Sequence, residues 1–255
     1  HSAWWPWRVR APLRELPPMP VKDFTLGRVV IDPGHGGEDE GARGLFGIVE
    51  KKLVRDLSVQ LAASLRRVGF EVRLTRTGDE FIALDRRAET VSEWDADLFL
   101  SMHANASKNH RARGFEIYYL SEAIDDQARA LEAYENARAD ETTDWRHTPP
   151  PSMDPTVWDI ILSEQRRESI MLAKIISTGV SRDQLTINRG VKSAQFRVLM
   201  NARVPALLVE VGFITNAGDA RRLLNAKYRR RLVRMLTQAL LDYREAYEST
   251  RGFTV

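Results

Sequence analysis

From Gly27 onward, short apolar runs alternate with longer stretches in which apolar residues recur every three or four positions. Arg28-Val29-Val30-Ile31 runs into Asp32-Pro33-Gly34-His35-Gly36-Gly37, a pattern that predicts a strand feeding a turn. Residues 50–68 carry Leu53, Leu57, Leu61 and Leu65 on one stripe, so a helix is expected there, stopped by Gly69 at its C-terminal cap. Phe70 to Leu74 alternates as a strand, and Leu84 to Trp94 has helical spacing. Asp97 to His103 and Gly114 to Leu120 predict two further strands, followed by a helix over Glu122 to Ala137. A long amphipathic helix is expected from Thr156 to Thr178, and a buried strand from Pro205 to Glu210. One last helix is expected over about Asp219 to Tyr247, with Leu232, Leu236, Leu240 and Tyr243 on one face. Its Arg229-Arg230-Arg231 triplet reads as a solvated helix face.

Strands alternating with helices imply an α/β fold: a single domain over residues 27–250, with a mostly parallel twisted sheet flanked by helices on both faces. Two segments break the pattern. Residues 1–26 hold five of the eleven prolines and three of the six tryptophans (Trp4, Trp5, Trp7), which predicts an extended arm or linker packed against its own domain. Residues 138–155 are polar, contain Pro149-Pro150-Pro151, and are expected to form a surface loop.

Composition narrows the functional classes. With 255 residues and 43% hydrophobic content, the chain has material for one sizeable core. Its formal net charge of +3 is a small surplus, which argues against a nucleic-acid binder. The absence of cysteine excludes disulfide scaffolds, thiolate-bound zinc and thiol nucleophiles. No apolar stretch reaches the ~18 residues of a membrane span. The chain starts with His and shows no signal peptide, so it reads as a trimmed mature protein.

In a largely parallel sheet, ligands sit beyond the carboxyl ends of the strands. Three expected strands end there in a residue with chemistry to offer: His35, His103 and Glu210. Of the five histidines, His1, His110 and His147 lie in polar or arm segments and read as surface residues. His35 and His103 instead follow strands among small residues, which leave room around each imidazole. Catalytic zinc takes three protein ligands and keeps one position open. Without cysteine, the third is another His or a carboxylate. Glu50, after the loop Gly41 to Gly47, is either that ligand or an acid complementing the dipole of its own helix, and the pattern leaves both open. Glu210 closes an apolar strand, where burial costs free energy unless the carboxylate is paired or functional.

Five motifs occur in order: Val29 to Gly37, Glu50-Lys51, Ser101-Met102-His103-Ala104-Asn105, Gly114 to Leu120, and Leu208 to Asn216. Together they resemble the zinc-dependent N-acetylmuramoyl-L-alanine amidases of the amidase 3 family, which cut bacterial peptidoglycan. The resemblance spans about Gly27 to Tyr247. It implies one zinc ion per chain held by His35, Glu50 and His103, with Glu210 as the catalytic glutamate. Asn105 is a candidate for orienting water or substrate, and Arg189 and Lys192 match a family stretch near the cleft. Two departures bear on substrate fit: Asp39-Glu40-Gly41 stands where relatives carry Asp-Pro-Gly, and Leu53-Val54-Arg55-Asp56 replaces a more usual Asn-Leu-rich helix start. The resemblance further implies peptidoglycan as partner, a place in the periplasm or cell wall, and a regulatory activator protein. In some division-associated relatives the segment matching residues 121–156 carries an autoinhibitory helix. Here the expectation is an ordinary helix followed by a longer loop. Alternatives from other classes are a non-catalytic wall-binding homologue and a zinc hydrolase of another amide, such as a carbohydrate deacetylase.

Overall fold

A computed structural model describes residues 25–137 and 154–249. The Trp-rich arm and most of the polar loop lie outside the described residues. The sheet has six strands in the order β2-β1-β3-β6-β4-β5. They are β1 (Arg28–Pro33), β2 (Glu71–Leu74), β3 (Leu98–His103), β4 (Phe115–Leu120), β5 (Asn188–Ala194) and β6 (Ala206–Glu210). The first three and β6 run parallel, β4 runs antiparallel to β6, and β5 follows β4. Among the described residues seven α-helices complete the fold: α1 (Glu50–Arg67), α2 (Leu84–Glu93), α3 (Asp126–Asn136), α4 (Pro155–Arg182), α5 (Arg197–Met200), α6 (Ala217–Leu224) and α7 (Ala226–Ser249).

Strand side chains point alternately to the two faces, and the core divides accordingly. Val29, Ile31, Leu98, Leu100, Leu207 and Val209 pack with α1, α4 and α7. Val30, Phe99, Tyr118 and Leu208 pack on the other side with residues of α2, α3 and α5. The central strands are buried throughout, so they read in the sequence as unbroken apolar runs. By the same alternation, His103, Glu210 and Glu116 fall on the face covered by α3.

Boundaries follow local chemistry. α1 ends where Gly69 takes φ +91°, a conformation that costs glycine no Cβ clash. α3 starts later than its apolar pattern suggests, because the Asp125 carboxylate caps it by accepting from Ala128 N at 2.7 Å. The expected final helix is two: Asn225 is extended (ψ 116°), and its side chain accepts from Lys227 N and Tyr228 N to start α7. The Arg229–Arg231 triplet is not wholly a solvated face. Arg229 donates to the Leu223 and Leu224 carbonyls at the end of α6, and Arg231 to Asp183 O, while Arg230 is exposed. β5 and α5 were not foreseen from pattern.

Candidate metal centre and its surroundings

The site lies where β1 and β3 part to neighbours on opposite sides, the switch point at which α/β sheets bind ligands. His35 follows β1 in a left-handed turn (φ 60°), unusual for a residue with a side chain. Two buried arginines hold that turn. Arg87 of α2 donates to the Pro33 and His35 carbonyls and forms an ion pair with Asp32 at 2.9 Å. Arg76 donates to the carbonyls of Pro33, Gly34 and Lys51. Asp32 also accepts from Thr75 and Ser101. Burial opposes its charged form, but the Arg87 guanidinium and these hydrogen bonds hold its carboxyl below the usual range.

His103 ends β3, and Gly34 leaves room for its ring: a Cβ at Gly34 would lie 2.4 Å from the imidazole. Glu50 does not cap its own helix. Its Oε2 accepts from Ala42 N at 2.8 Å and its Oε1 from Ala104 N at 3.0 Å, which turns the carboxylate toward the strand ends. There Oε1 is 3.2 Å from His35 Nε2 and 3.3 Å from His103 Nδ1. The chain therefore brings His35, Glu50 and His103 to one point. Neither of those two ring nitrogens has a hydrogen-bond partner, although both are buried. His35 Nδ1, on the far side of its ring, faces Asp39 Oδ2 at 2.9 Å, the outer-shell carboxylate that commonly orients a ligating imidazole.

A fourth donor was missed by the sequence reading. Glu135, in the last turn of α3, places Oε2 3.5 Å from His35 Nε2 and 3.2 Å from His103 Nδ1. The donor atoms of all four residues lie within 4.8 Å of one another, a spacing that can hold a metal ion. Burial disfavours a charged His35, yet Glu50 and Asp39 outweigh it and push its pKa up to about 10. Burial likewise opposes a charged Glu50, but the two imidazoles draw its pKa down. These acidic and basic side chains thus serve as counter-ions to one another around a common centre.

Glu210 pairs with His103 across β3 and β6 and is fully buried, with neither carboxylate oxygen partnered. Burial raises its pKa well above the usual value; His103 lowers it, while Glu50, Glu135 and Glu116 add to the rise. Asn105 does not reach the four-donor point: its Nδ2 donates to Glu116 at 3.0 Å. Arg189 and Lys192 sit on β5 and also converge on Glu116, at 2.6 and 2.9 Å. Beneath α3 lies a cavity of about 470 Å³, lined by Glu50, Asn105, Gln127, Tyr134 and Glu135 among others.

A doubly covered, mostly parallel sheet with a buried cluster of two imidazoles and two carboxylates at its switch point defines an α/β domain able to hold a metal ion. Comparison with known proteins then gives the family. The family model for N-acetylmuramoyl-L-alanine amidases (amidase 3) matches residues 29–242, and the chain belongs to that family. It is 33% identical over 244 residues to the N-acetylmuramoyl-L-alanine amidase AmiA of Salmonella typhimurium, covering 93% of this chain and 83% of the relative. Among solved structures, the amidase AmiC2 of Nostoc punctiforme superposes with a TM-score of 0.64 at 28% identity, over 86% of this chain and 97% of that one. An N-acetylmuramoyl-L-alanine amidase from Clostridium difficile 630 gives a TM-score of 0.66 at 26% identity, over 87% and 98%.

Proposed function

We propose that this chain hydrolyses the amide between N-acetylmuramic acid and the L-alanine of the peptidoglycan stem peptide, with one zinc ion held by His35, Glu50 and His103. The observation that carries the reading is the meeting of two unpartnered buried imidazole nitrogens and the Glu50 carboxylate at one point, beside an unpartnered buried Glu210, in a member of the amidase family. Two imidazoles and a carboxylate without cysteine suit zinc. Zinc bound there supplies a Lewis acid for the amide carbonyl and lowers the pKa of water. The chain's own residues do the rest. Asp39 and the Arg76–Arg87 pair fix His35, and the Ala42 and Ala104 amides fix Glu50. Glu210 is the proton carrier: buried beside His103 with neither oxygen bonded, its carboxylate is free to take a proton from the attacking water and return it to the departing L-alanine amine. Because the substrate is wall polymer, the place of action is the periplasm or cell wall. No helix among the described residues is long and apolar enough to cross a membrane.

The products decide. Incubating the zinc-loaded chain with purified sacculi is expected to release intact stem peptides with a new L-alanine N-terminus, leaving free lactyl carboxyls on the glycan. Acetate release would mean a deacetylase, and binding without cleavage a wall-binding homologue. Either result overturns the reading.

A second reading concerns α3, and the position of Glu135 favours it. That carboxylate fills the side of the cluster from which substrate would approach, so the structure is read as the closed form of a gated enzyme. Elsewhere α3 is tied to the residues just after β5: Glu132 accepts from Gln195 N, and Asn136 donates to Gln195 O and accepts from Arg197 N. An activator protein that draws α3 aside would open the site.

A further inference from the structure

A second charged group stands at the same end of the sheet, and no step of the proposed hydrolysis is assigned to it. Glu116, near the start of β4, is fully buried. It accepts from Arg189 Nε at 2.6 Å, Asn105 Nδ2 at 3.0 Å and the Tyr118 hydroxyl at 3.1 Å, and pairs with Lys192 Nζ at 2.9 Å. Two cations thus face one buried carboxylate, and the group keeps one positive charge in excess. Helix α3 supplies what offsets it. Gln127 Oε1 accepts from Arg189 Nη2 at 2.8 Å, and the Asp125 carboxylate lies 3.6 Å from Lys192 Nζ.

One helix therefore covers two places at once. Its first turn gives the Gln127 amide oxygen to Arg189 and its Asp125 cap a carboxylate to Lys192, while its last turn gives the Glu135 carboxylate to the histidines. Gln127 and Glu135 both line the cavity under α3, with Asn105 between the two groups. Eight residues of helix separate them, about 12 Å at 1.5 Å per residue. An extended peptide covers that distance in three to four residues of backbone, at about 3.3–3.6 Å each, or in two to three when an acidic side chain spans the remainder. With α3 withdrawn, the Arg189 guanidinium and the Lys192 ammonium would lose their α3 acceptors and keep only Glu116, at the reach of a peptide whose first amide lies at the histidine cluster. A carboxylate is the group that replaces both an amide oxygen and an acid there, and Arg is suited to bind it through two parallel N–H donors.

We propose that Arg189 and Lys192, held in place by Glu116, form a carboxylate-recognition subsite for the acidic stem peptide, two or three residues beyond the amide that is cut. This rests on the proposed amidase reading and adds a specificity determinant to it. Glu116 is a positioning residue; Arg189 and Lys192 are the groups that touch the ligand.

The test compares two soluble disaccharide peptides, one with free carboxylates at its second and third residues and one with both amidated. The full zinc-loaded chain is expected to cleave the free form with a kcat/KM about 10–100-fold higher, chiefly through KM, as loss of a charge-assisted hydrogen bond implies. Arg189→Gln and Lys192→Met should each shrink that ratio toward one. The ratio is the readout because Arg189 also anchors α3: loosening the helix changes both rates together, whereas losing the subsite changes their quotient. Thermal melting checks that each variant is folded, and two separate variants guard against one failing. Equal cleavage of both peptides by the unaltered chain, or a ratio that survives both substitutions, overturns the subsite. If neither the chain nor its Glu135→Ala variant, which frees the histidine cluster from α3, cleaves either peptide, the amidase reading has failed instead. Calorimetric binding of the same two peptides then still judges the subsite, with equal affinities overturning it.

Discussion

At the residue scale, small side chains set the histidine geometry. Gly34 carries no chemistry, yet the His103 ring occupies the space its Cβ would need. Gly34→Ala should push that imidazole off the common point, with metal affinity falling on the order of 10–100-fold, the range seen when ligand-orienting partners are lost. Competition titration with a chromophoric chelator measures it; unchanged affinity would mean the ring tolerates displacement. Glu210 is the opposite case, a residue whose environment supports chemistry and no structural bond. Glu210→Gln should abolish turnover while metal content stays at one ion per chain by mass spectrometry, and retained hydrolysis would remove the assignment. Asp32 lies beneath both histidines and titrates in a definite direction. Its folded pKa lies below the unfolded value, so the stability it contributes is present above that unfolded value of about 4 and disappears as pH falls through the folded one. Asp32→Asn leaves the buried Arg87 without its counter-ion and is expected to cost about 3 kcal/mol at neutral pH. The difference between variant and parent should narrow below pH 4 in urea melts; a gap that stays constant with pH would deny the linkage.

At the element scale, α3 is the part whose role depends on where it is docked. Its ties to β5 are the Gln127 hydrogen bond to Arg189 and the ion pair of its Asp125 cap with Lys192, and of its residues Ala128 and Leu131 are the apolar ones buried. A helix held mainly by polar contacts can leave without dismantling the core. Glu135→Ala removes its contact with the histidines, and hydrolysis of sacculi should rise by about tenfold or more if the closed form is favoured by ~1.4 kcal/mol. An unchanged rate would make α3 a fixed wall. What the sequence reveals of these elements depends on burial. β1, β3 and β6, covered on both faces, appear as apolar runs ending in His35, His103 and Glu210. β5 was missed because Asn188-Arg-Gly-Val-Lys-Ser-Ala is a half-exposed edge strand with Gly190 at φ +86°; only its pairing with β4 defines it. Glu135 was missed because it is one of five acids between Glu122 and Glu135. Nothing local distinguishes it, since its partners come from other strand ends. Glu50 was undecided for a similar reason: the Ala42 and Ala104 amides that turn it come from loops the pattern cannot fold. The Asn225 break was hidden because the apolar stripe continues across it.

At the scale of the whole molecule, strand direction explains why so much charge gathers at one edge of the sheet. β1, β3 and β6 present their carboxyl ends there. β4 and β5 run the other way, so Glu116 and Arg189, near the beginnings of their strands, reach the same edge. Four carboxylates, from Glu50, Glu116, Glu135 and Glu210, therefore share one end of the domain, none with a side chain more than 8% exposed. Arg189 and Lys192 answer Glu116; the two imidazoles answer Glu50 and Glu135 only by carrying protons. A divalent ion at the four-donor point would take over that role, and any ligand that binds the folded state alone stabilises it by mass action. At a free metal concentration a hundred times the dissociation constant this amounts to about 2.7 kcal/mol, or a Tm higher by about 5–10 °C for a domain of this size. Chelation should therefore lower Tm by that amount, and added zinc should restore it. His103→Ala should lose the dependence on metal altogether. Arg189→Gln should keep it, because the Glu116 group is held by its own ion pairs and shares no donor atom with the histidine cluster. A metal shift that vanished in both variants would show the two groups to be one energetic unit; a Tm indifferent to chelator in the unaltered chain would remove the metal from the site.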